Sequence, residues 1–317
     1  HPTLSWNKYN TTSVGMSFYN RFIPKGGFSY KLSPMYSFGT SSLVGRGNLA
    51  VTKYSHSSIF SKVKLSIDAE QFNYDTGSEY KRVAPSIELI LNEHNLRSKK
   101  ESKITASYIA LQKQFIITFP ESYSVEYFGI LGYSFSNNRT INPYSFKLDL
   151  EGVEKLNMEF NYTYELNQKK RINARFYGGK ILYGEFYRHN LQMSAWNGNM
   201  DYSFSEKSFA RSEVDGTLSN QIFIREGGLK HKTNITSSNL LTSLSLDYNL
   251  TKSLKIYAEA GTNGNEFAYG TGLQYNTSGL TIYIPMYTEN GLFNGEDFLD
   301  GIRLGVSTKI DLSVLGL

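Results

Sequence analysis

The sequence predicts an all-β chain: a closed, antiparallel, transmembrane β-barrel of about sixteen strands, with fourteen as the fallback count. Three observations carry this. The first is the alternation from Ile302 to Val314 near the end of the chain. Ile302, Leu304, Val306, Thr308, Ile310, Leu312 and Val314 share one side, and Arg303, Gly305, Ser307, Lys309, Asp311 and Ser313 the other. A strand sends successive side chains to opposite faces, so this stretch is a ribbon greasy on one face and polar on the other. It is long enough to cross a bilayer at a tilt, which takes ~9–11 residues. The second is composition. Aromatics make up 15% of 317 residues, yet mean hydropathy is −0.37, and no run of ~18 apolar residues exists to form a membrane-spanning helix. Strands that are apolar on only one face give that combination. The third is the absence of any sustained 3.6-residue period.

Taken in order, the alternation predicts strands at Thr12–Tyr19, Phe28–Phe38, Leu43–Tyr54 and Ile59–Tyr74. Val83–Glu93 and Ser102–Thr118 follow, the latter slipping phase near Gln112 as a bulge would. Tyr123–Phe135, Tyr144–Gly152, Leu156–Leu166 and Arg171–Leu182 come next. Trp196–Ser205 is weaker, and Leu218–Arg225 is short. Leu241–Leu250, Leu254–Thr262, Phe267–Tyr275 and Leu280–Tyr287 lead to the closing strand. Single-chain bacterial barrels have even strand numbers, so Leu218–Arg225 is assigned to a long outer loop, 206–239. The whole of 1–317 then reads as one domain. With both termini periplasmic, Gly152–Lys155, Thr251–Ser253 and Asn276–Gly279 are short inner turns, and 206–239 and 288–300 are long outer loops. Asp75–Arg82 and Tyr183–Ala195 are inner turns longer than this scheme favours.

The same alternation would also suit two soluble sheets packed face to face. Charges of both signs on the polar faces, and Tyr and Phe near strand ends, favour a wet interior and interfacial girdles instead. Pro34, Pro85 and Pro285 count against it, because proline removes a ladder hydrogen bond.

The chain holds no cysteine, which rules out disulfides and thiolate metal sites. Its start, His1-Pro2-Thr3-Leu4, carries no leader pattern, and the chain is read as a mature form or a fragment. The net charge of +5 is spread through strands and short loops, with no basic helix or nucleic-acid motif, so no nucleic-acid partner is expected. His1, His56, His94, His189 and His231 are scattered and read as loop or rim residues. The expected inward charges include Asp68, Glu70, Glu88, Asp149, Glu151, Glu159, Glu165 and Glu259. Lys62, Lys64, Lys147, Arg175, Lys255, Arg303 and Lys309 oppose them, and mutual pairing in a solvated interior accounts for both sets. There is no Gly-x-Ser-x-Gly elbow, and Gly45–Gly47 and Gly227–Gly228 are too sparse for a phosphate loop. Three cationic clusters fall on predicted outer loops: Arg21 and Lys25; Arg97, Lys99 and Lys100; Lys169, Lys170 and Arg171. Their guanidinium and ammonium groups suit lipopolysaccharide phosphates.

Several short aromatic and turn patterns add a resemblance. They are Trp6-Asn7-Lys8-Tyr9-Asn10, Leu32-Ser33-Pro34-Met35-Tyr36, and Asn220-Gln221 with Arg225-Glu226-Gly227-Gly228. Tyr283-Ile284-Pro285-Met286-Tyr287 follows with Asn290-Gly291, and then Ile302-Arg303. In these the chain resembles the C-terminal barrel region attached to M1-family (gluzincin) peptidase-like proteins of Bacteroidota outer membranes. The resemblance implies a multi-pass outer-membrane protein, in contact with outer-membrane lipid and lipopolysaccharide, that anchors or scaffolds a peptidase-like domain or joins other outer-membrane proteins. The zinc chemistry of that class needs His-Glu-x-x-His, which this sequence lacks. No catalytic residue, metal or cofactor is therefore expected. The alternative expectation is a porin-like diffusion channel or substrate-specific pore, with the long loop as its constriction.

Overall fold

The structure, a computed structural model, describes residues 1–20, 27–55, 59–93, 97–115, 122–167, 170–183, 190–196, 203, 206, 208–213, 215–277, 279–292 and 301–306. Its strands are β1 (Pro2–Asn7), β2 (Thr11–Met16), β3 (Phe18–Tyr19), β4 (Phe28–Ser37), β5 (Ser42–Tyr54), β6 (Phe60–Asp75), β7 (Ser78–Leu91), β8 (Lys100–Phe115), β9 (Ser122–Asn137) and β10 (Tyr144–Glu151). There follow β11 (Lys155–Asn167), β12 (Lys170–Ile181), β13 (Leu191–Gln192), β14 (Thr236–Ser237), β15 (Leu240–Asn249), β16 (Leu254–Thr262), β17 (Phe267–Asn276), β18 (Leu280–Thr288), β19 (Gly291–Leu292) and β20 (Arg303–Val306). All except β13 and β14 belong to one eighteen-stranded sheet. β2 and β3 are one strand interrupted at Ser17, and β19 is a two-residue return on β18. Sixteen strand positions remain among the described residues.

By internal contacts the chain forms two compact units, 1–135 with 149–152 and 209–211, and 136–148 with 153–208 and 212–317. In the first, antiparallel ladders run β1–β2, β2–β4, β4–β5, β5–β6, β6–β7 and β7–β8. In the second they run β11–β12, β12–β15, β15–β16, β16–β17, β17–β18 and β18–β20.

Burial along these strands is inverted relative to a soluble protein. On β15, Leu244 and Leu246 are 45% and 41% exposed, while Ser243 and Ser245 between them are 4% and 6%. On β4, Phe28, Leu32 and Tyr36 are exposed, and Ser33 and Ser37 are buried. In a sandwich the apolar faces would meet in a core. Here no described layer covers them, so hydrocarbon is the medium that suits them.

The prolines are accommodated locally. Pro34 lies opposite Gly45, whose φ of +151° lets the partner strand bend; a Cβ there would run into the carbonyl oxygen of Ser33. Pro285 sits at a bulge, where the β17–β18 register shifts between Thr271 and Gly272. Pro85 pairs with Ile67 on one side, and on the other the ladder to β8 passes from Val83 directly to Ser86.

Several expectations are corrected. The register of β7–β8 is unbroken from Tyr80 to Val83, so there is no bulge at Gln112. The apparent slip arises because apolar Ile109 and Leu111 occupy inward positions, 3% and 0% exposed. Asp75–Arg82 is a strand continuation that turns at Thr76–Gly77. Pro2–Asn7 is a strand the alternation did not reveal. Among the described residues of Trp196–Ser205 there is no strand; residues 197–202, 204 and 205 lie outside the described ones. With β1 added near the start and β12 paired directly with β15, the strands between run in the direction opposite to that expected. The turn after β10 therefore lies at the same strand ends as the long segment after β12, and opposite Thr251–Ser253. Beyond Val306 the closing strand lies outside the described residues, and Lys309 with it.

Candidate functional site: a segment seated on the inward face

Residues 182–239 connect β12 to β15, and all of them but 209–211 belong to the second unit. Sequence reading took most of this stretch for an outer loop. Its described parts instead pack on the inward face of the strands around it. β13 pairs with β14, and an isolated bridge joins Ala195 to Phe223. Met193 binds Ile235 through its N–H at 3.0 Å, and Leu229 N–H donates to the Met193 carbonyl at 3.0 Å. Leu191, Met193 and Leu229 form a buried cluster with Tyr177 of β12, Leu241 of β15 and Ala268 of β17. Ile222 packs with Tyr257 of β16 and Tyr283 of β18. Apolar side chains face inward here where a polar face was expected, and each large one removed from water adds ~1.5–3 kcal/mol to the seating.

Charges supply the alignment. The segment turns at Glu226 and Gly228, with φ of +48° and +64°. Arg175 of β12 holds this turn: its guanidinium donates to the carbonyls of Gly227 (3.1 Å) and Glu226 (2.8 Å), and to the Glu159 carboxylate at 2.6 Å. Ser243 donates to the same Gly227 carbonyl at 2.6 Å. Glu226 pairs with Lys155 of β11 and accepts from the backbone of Gln192 at 2.6 Å. Lys230 donates to Ser245 at 2.7 Å and Asp247 at 2.8 Å, and its Nζ stands 4.8 Å from the centre of the Tyr257 ring.

His231, read from sequence as a loop or rim residue, lies in this connection and is 2% exposed. Its Nδ1 lies 2.8 Å from Glu259 Oε1 and its Nε2 2.9 Å from Glu289 Oε2. A neutral imidazole has one N–H; facing two carboxylates it needs both, so the ring is an imidazolium. Burial alone would lower its pKa. The hydrogen bonds to Glu259 and Glu289 outweigh that and hold it at about 9. Burial likewise pushes the Glu289 carboxyl up, and the bond from His231 with its charge brings it below the usual value. Gly270 makes room for the ring, since a Cβ there would come within 2.7 Å of Nδ1. A cavity of about 620 Å³ adjoins this cluster, lined in part by Thr233, Pro285, Glu289 and Arg303.

Of the expected inward charges, Arg175, Glu259 and Arg303 meet this segment, Arg303 through Asn220, and Glu159 of β11 pairs with Arg175. What sequence reading missed was the partner strip from Glu226 to His231, because an irregular segment has no period to reveal which side it faces. Of the cations expected at lipopolysaccharide, Arg21, Lys25 and Lys169 lie outside the described residues. Arg97, Lys99 and Lys100 stand at the first unit's strand ends shared with His1. Lys170 and Arg171 stand at the ends of β12 and β11 opposite the long segment, and Arg171 pairs with Glu165 at 3.2 Å.

Neither a family model nor a curated protein sequence matches the chain. Among solved structures it is similar to BamA from Haemophilus ducreyi lacking POTRA domains 1–3, at 12% identity and a TM-score of 0.46, covering 90% of this chain and 65% of that one. It is similar to CdiB from Acinetobacter baumannii at 12% identity and 0.44, covering 94% and 56%. A third is the siderophore receptor PirA from Pseudomonas aeruginosa, at 13% and 0.42, covering 87% and 54%. This chain thus spans less than two thirds of the length of each. Its own strands define its class: apolar faces exposed, polar faces buried, and no described helix long and apolar enough to cross a membrane. It is a transmembrane β-barrel of the outer-membrane type.

Proposed function

We propose that this chain is a plugged, non-catalytic outer-membrane barrel that acts as a membrane anchor or scaffold, for a peptidase-like domain or within a larger outer-membrane assembly. One observation carries the reading: the strip from Glu226 to His231 is fixed to the inward face by Arg175, Lys155–Glu226, Lys230–Asp247 and His231 between two carboxylates. A diffusion pore needs open water there, and a segment held by buried charge pairs yields it only at a cost of several kcal/mol. The peptidase link comes from the short patterns around Tyr283–Tyr287 and Arg225–Gly228, and any zinc chemistry belongs to a different polypeptide region, since His-Glu-x-x-His is absent from this one.

The purified chain in planar bilayers is expected to give no steady conductance. A K155A/H231A variant, which unties the segment from β11, β16 and the end of β18, is expected to give open-channel current in bursts. Steady conductance of the unaltered chain would favour the second reading, a substrate-specific pore with this segment as its constriction. Purification from native membranes tests the scaffold role itself: a peptidase-like or other outer-membrane partner is expected to travel with the chain.

A further inference from the structure

On the outward face of the first unit a groove of about 530 Å³ crosses the strands rather than following them. One lip is a single register row from β4 to β8: Phe28 faces Val51, Val51 faces Leu65, Leu65 faces Ile87 and Ile87 faces Ala106. The other lip is the next outward row, from Leu49 through Ile67 and Pro85 to Tyr108. Four inter-strand steps of ~4.8 Å make the groove ~19 Å long, and its lips stand two residues apart, ~6.8 Å. That width takes one hydrocarbon chain and excludes a helix, which is ~10–12 Å across.

The incline of the groove selects the ligand. Wall strands tilt ~35–45° from the barrel axis, so a row at right angles to them slopes ~45–55° to the bilayer normal. Alternation puts two lysines on the same outward face, Lys53 on β5 and Lys100 on β8, both exposed. A lipid-facing lysine is costly at mid-bilayer and nearly free at the headgroups, so these two mark the headgroup level. Lys53 is two residues, ~6.8 Å, from Val51, whereas Lys100 is six residues, ~20 Å, from Ala106. The groove therefore opens at the headgroups on β4 and β5, where the Phe28 and Tyr30 rings stand 6.1 Å apart, and descends toward the middle of the bilayer at β8. A lipid chain takes that course from its own headgroup, and Lys53 at the mouth supplies a cation for the phosphate. We propose that this groove holds one acyl chain of an anionic glycerophospholipid, with its phosphate on Lys53. One ammonium beside one slot matches one phosphate and one chain, and an uncharged head such as glycerol sets no second cation against Lys53.

The test uses the full chain in neutral detergent micelles with phosphatidylglycerol or phosphatidylethanolamine added, and native mass spectrometry counts the lipids retained. One phosphatidylglycerol is expected to stay bound, several-fold more firmly than phosphatidylethanolamine. K53Q is expected to lose that preference and K53R to keep it. V51W/A106W, which fills both ends of the groove, is expected to weaken retention about tenfold or more. L246W, an equally outward change on β15, serves as control and is expected to retain lipid as the unaltered chain does. Heat-modifiable migration of each variant reports that it has folded. Retention unchanged in V51W/A106W, or a preference that survives K53Q, overturns the proposal. Firmer retention of lipid A than of phosphatidylglycerol overturns it in favour of the outer-leaflet lipid. A mass of two chains without lipid overturns it in favour of a second copy on this face.

Discussion

At the scale of single residues, His231 decides how the inward segment responds to pH. Its pKa is raised from 6.5 to about 9 in the folded protein. A raised cationic group contributes stability that is fully present below its unfolded value and is lost as pH rises through the folded one. Glu289, held below its ordinary value, contributes in the opposite sense: its share is present above about pH 4.5 and lost as pH falls through the depressed value. The segment is therefore tied most firmly between about pH 5 and pH 6.5, and loosens toward pH 9 and above. Trypsin reports this directly, because Arg225, Lys230 and Lys232 lie in the segment. Cleavage there is expected to accelerate above pH 9 once corrected for the protease's own pH dependence. In H231A that alkaline step is expected to vanish, with fast cleavage already at pH 7. Among the described residues Glu259 then keeps only the Lys230 backbone N–H at 2.8 Å and the Lys230 ammonium at 3.8 Å, and Glu289 loses its cation. A pH-independent rate in the unaltered chain would show that the imidazolium does not hold the segment.

At the scale of elements, the union of β11 with the turn at Glu226 is a charge pair with one partner on each element. Lys155→Glu is expected to set two carboxylates against each other and raise the trypsin rate about tenfold or more. K155E/E226K is expected to recover most of that loss, the coupling lying in the ~1.5–5 kcal/mol range of close, shielded pairs. Failure of the swap to recover would mean that Glu226 acts chiefly through the Gln192 N–H. The pair also shows what sequence can and cannot reveal. Wall strands such as β4, β6 and β15 were legible because lipid on one side and polar groups on the other impose strict alternation. Alternation fails as a guide where apolar side chains face inward, as at Ile109 and Leu111 on β8. It is too short to notice in the six residues of β1. It also misleads around Trp196, where aromatic and apolar residues serve a buried segment: the Lys232 ammonium lies 3.7 Å from the Trp196 ring centre. The candidate site was half legible. Arg175, Glu159 and Glu259 were read as inward from strand parity, whereas Glu226, Lys230 and His231 follow no period and gave no sign of their direction.

At the scale of the whole molecule, the direction in which the strands run decides which groups meet the outside. In the second unit the long segment after β12 and the turn at Asn263–Glu266 share one set of strand ends, and Thr251–Ser253 shares the other with Lys170. Outer-membrane barrels keep their long loops outside and short turns in the periplasm. Asn265 should then face the medium, and Lys252 and Lys170 the periplasm. The chain has no cysteine, so single substitutions give a clean readout with a membrane-impermeant maleimide. Asn265→Cys is expected to be labelled on intact cells. Lys252→Cys and Lys170→Cys are expected to be labelled only after the outer membrane is permeabilised. That outcome removes Lys170 and Arg171 from any contact with lipopolysaccharide, whose phosphates lie in the outer leaflet, and leaves their charge for the periplasmic rim. The reverse pattern, Lys170 reached from outside and Asn265 not, would turn the barrel over, restore those cations as lipopolysaccharide contacts, and place the seated segment's entrance on the periplasmic side.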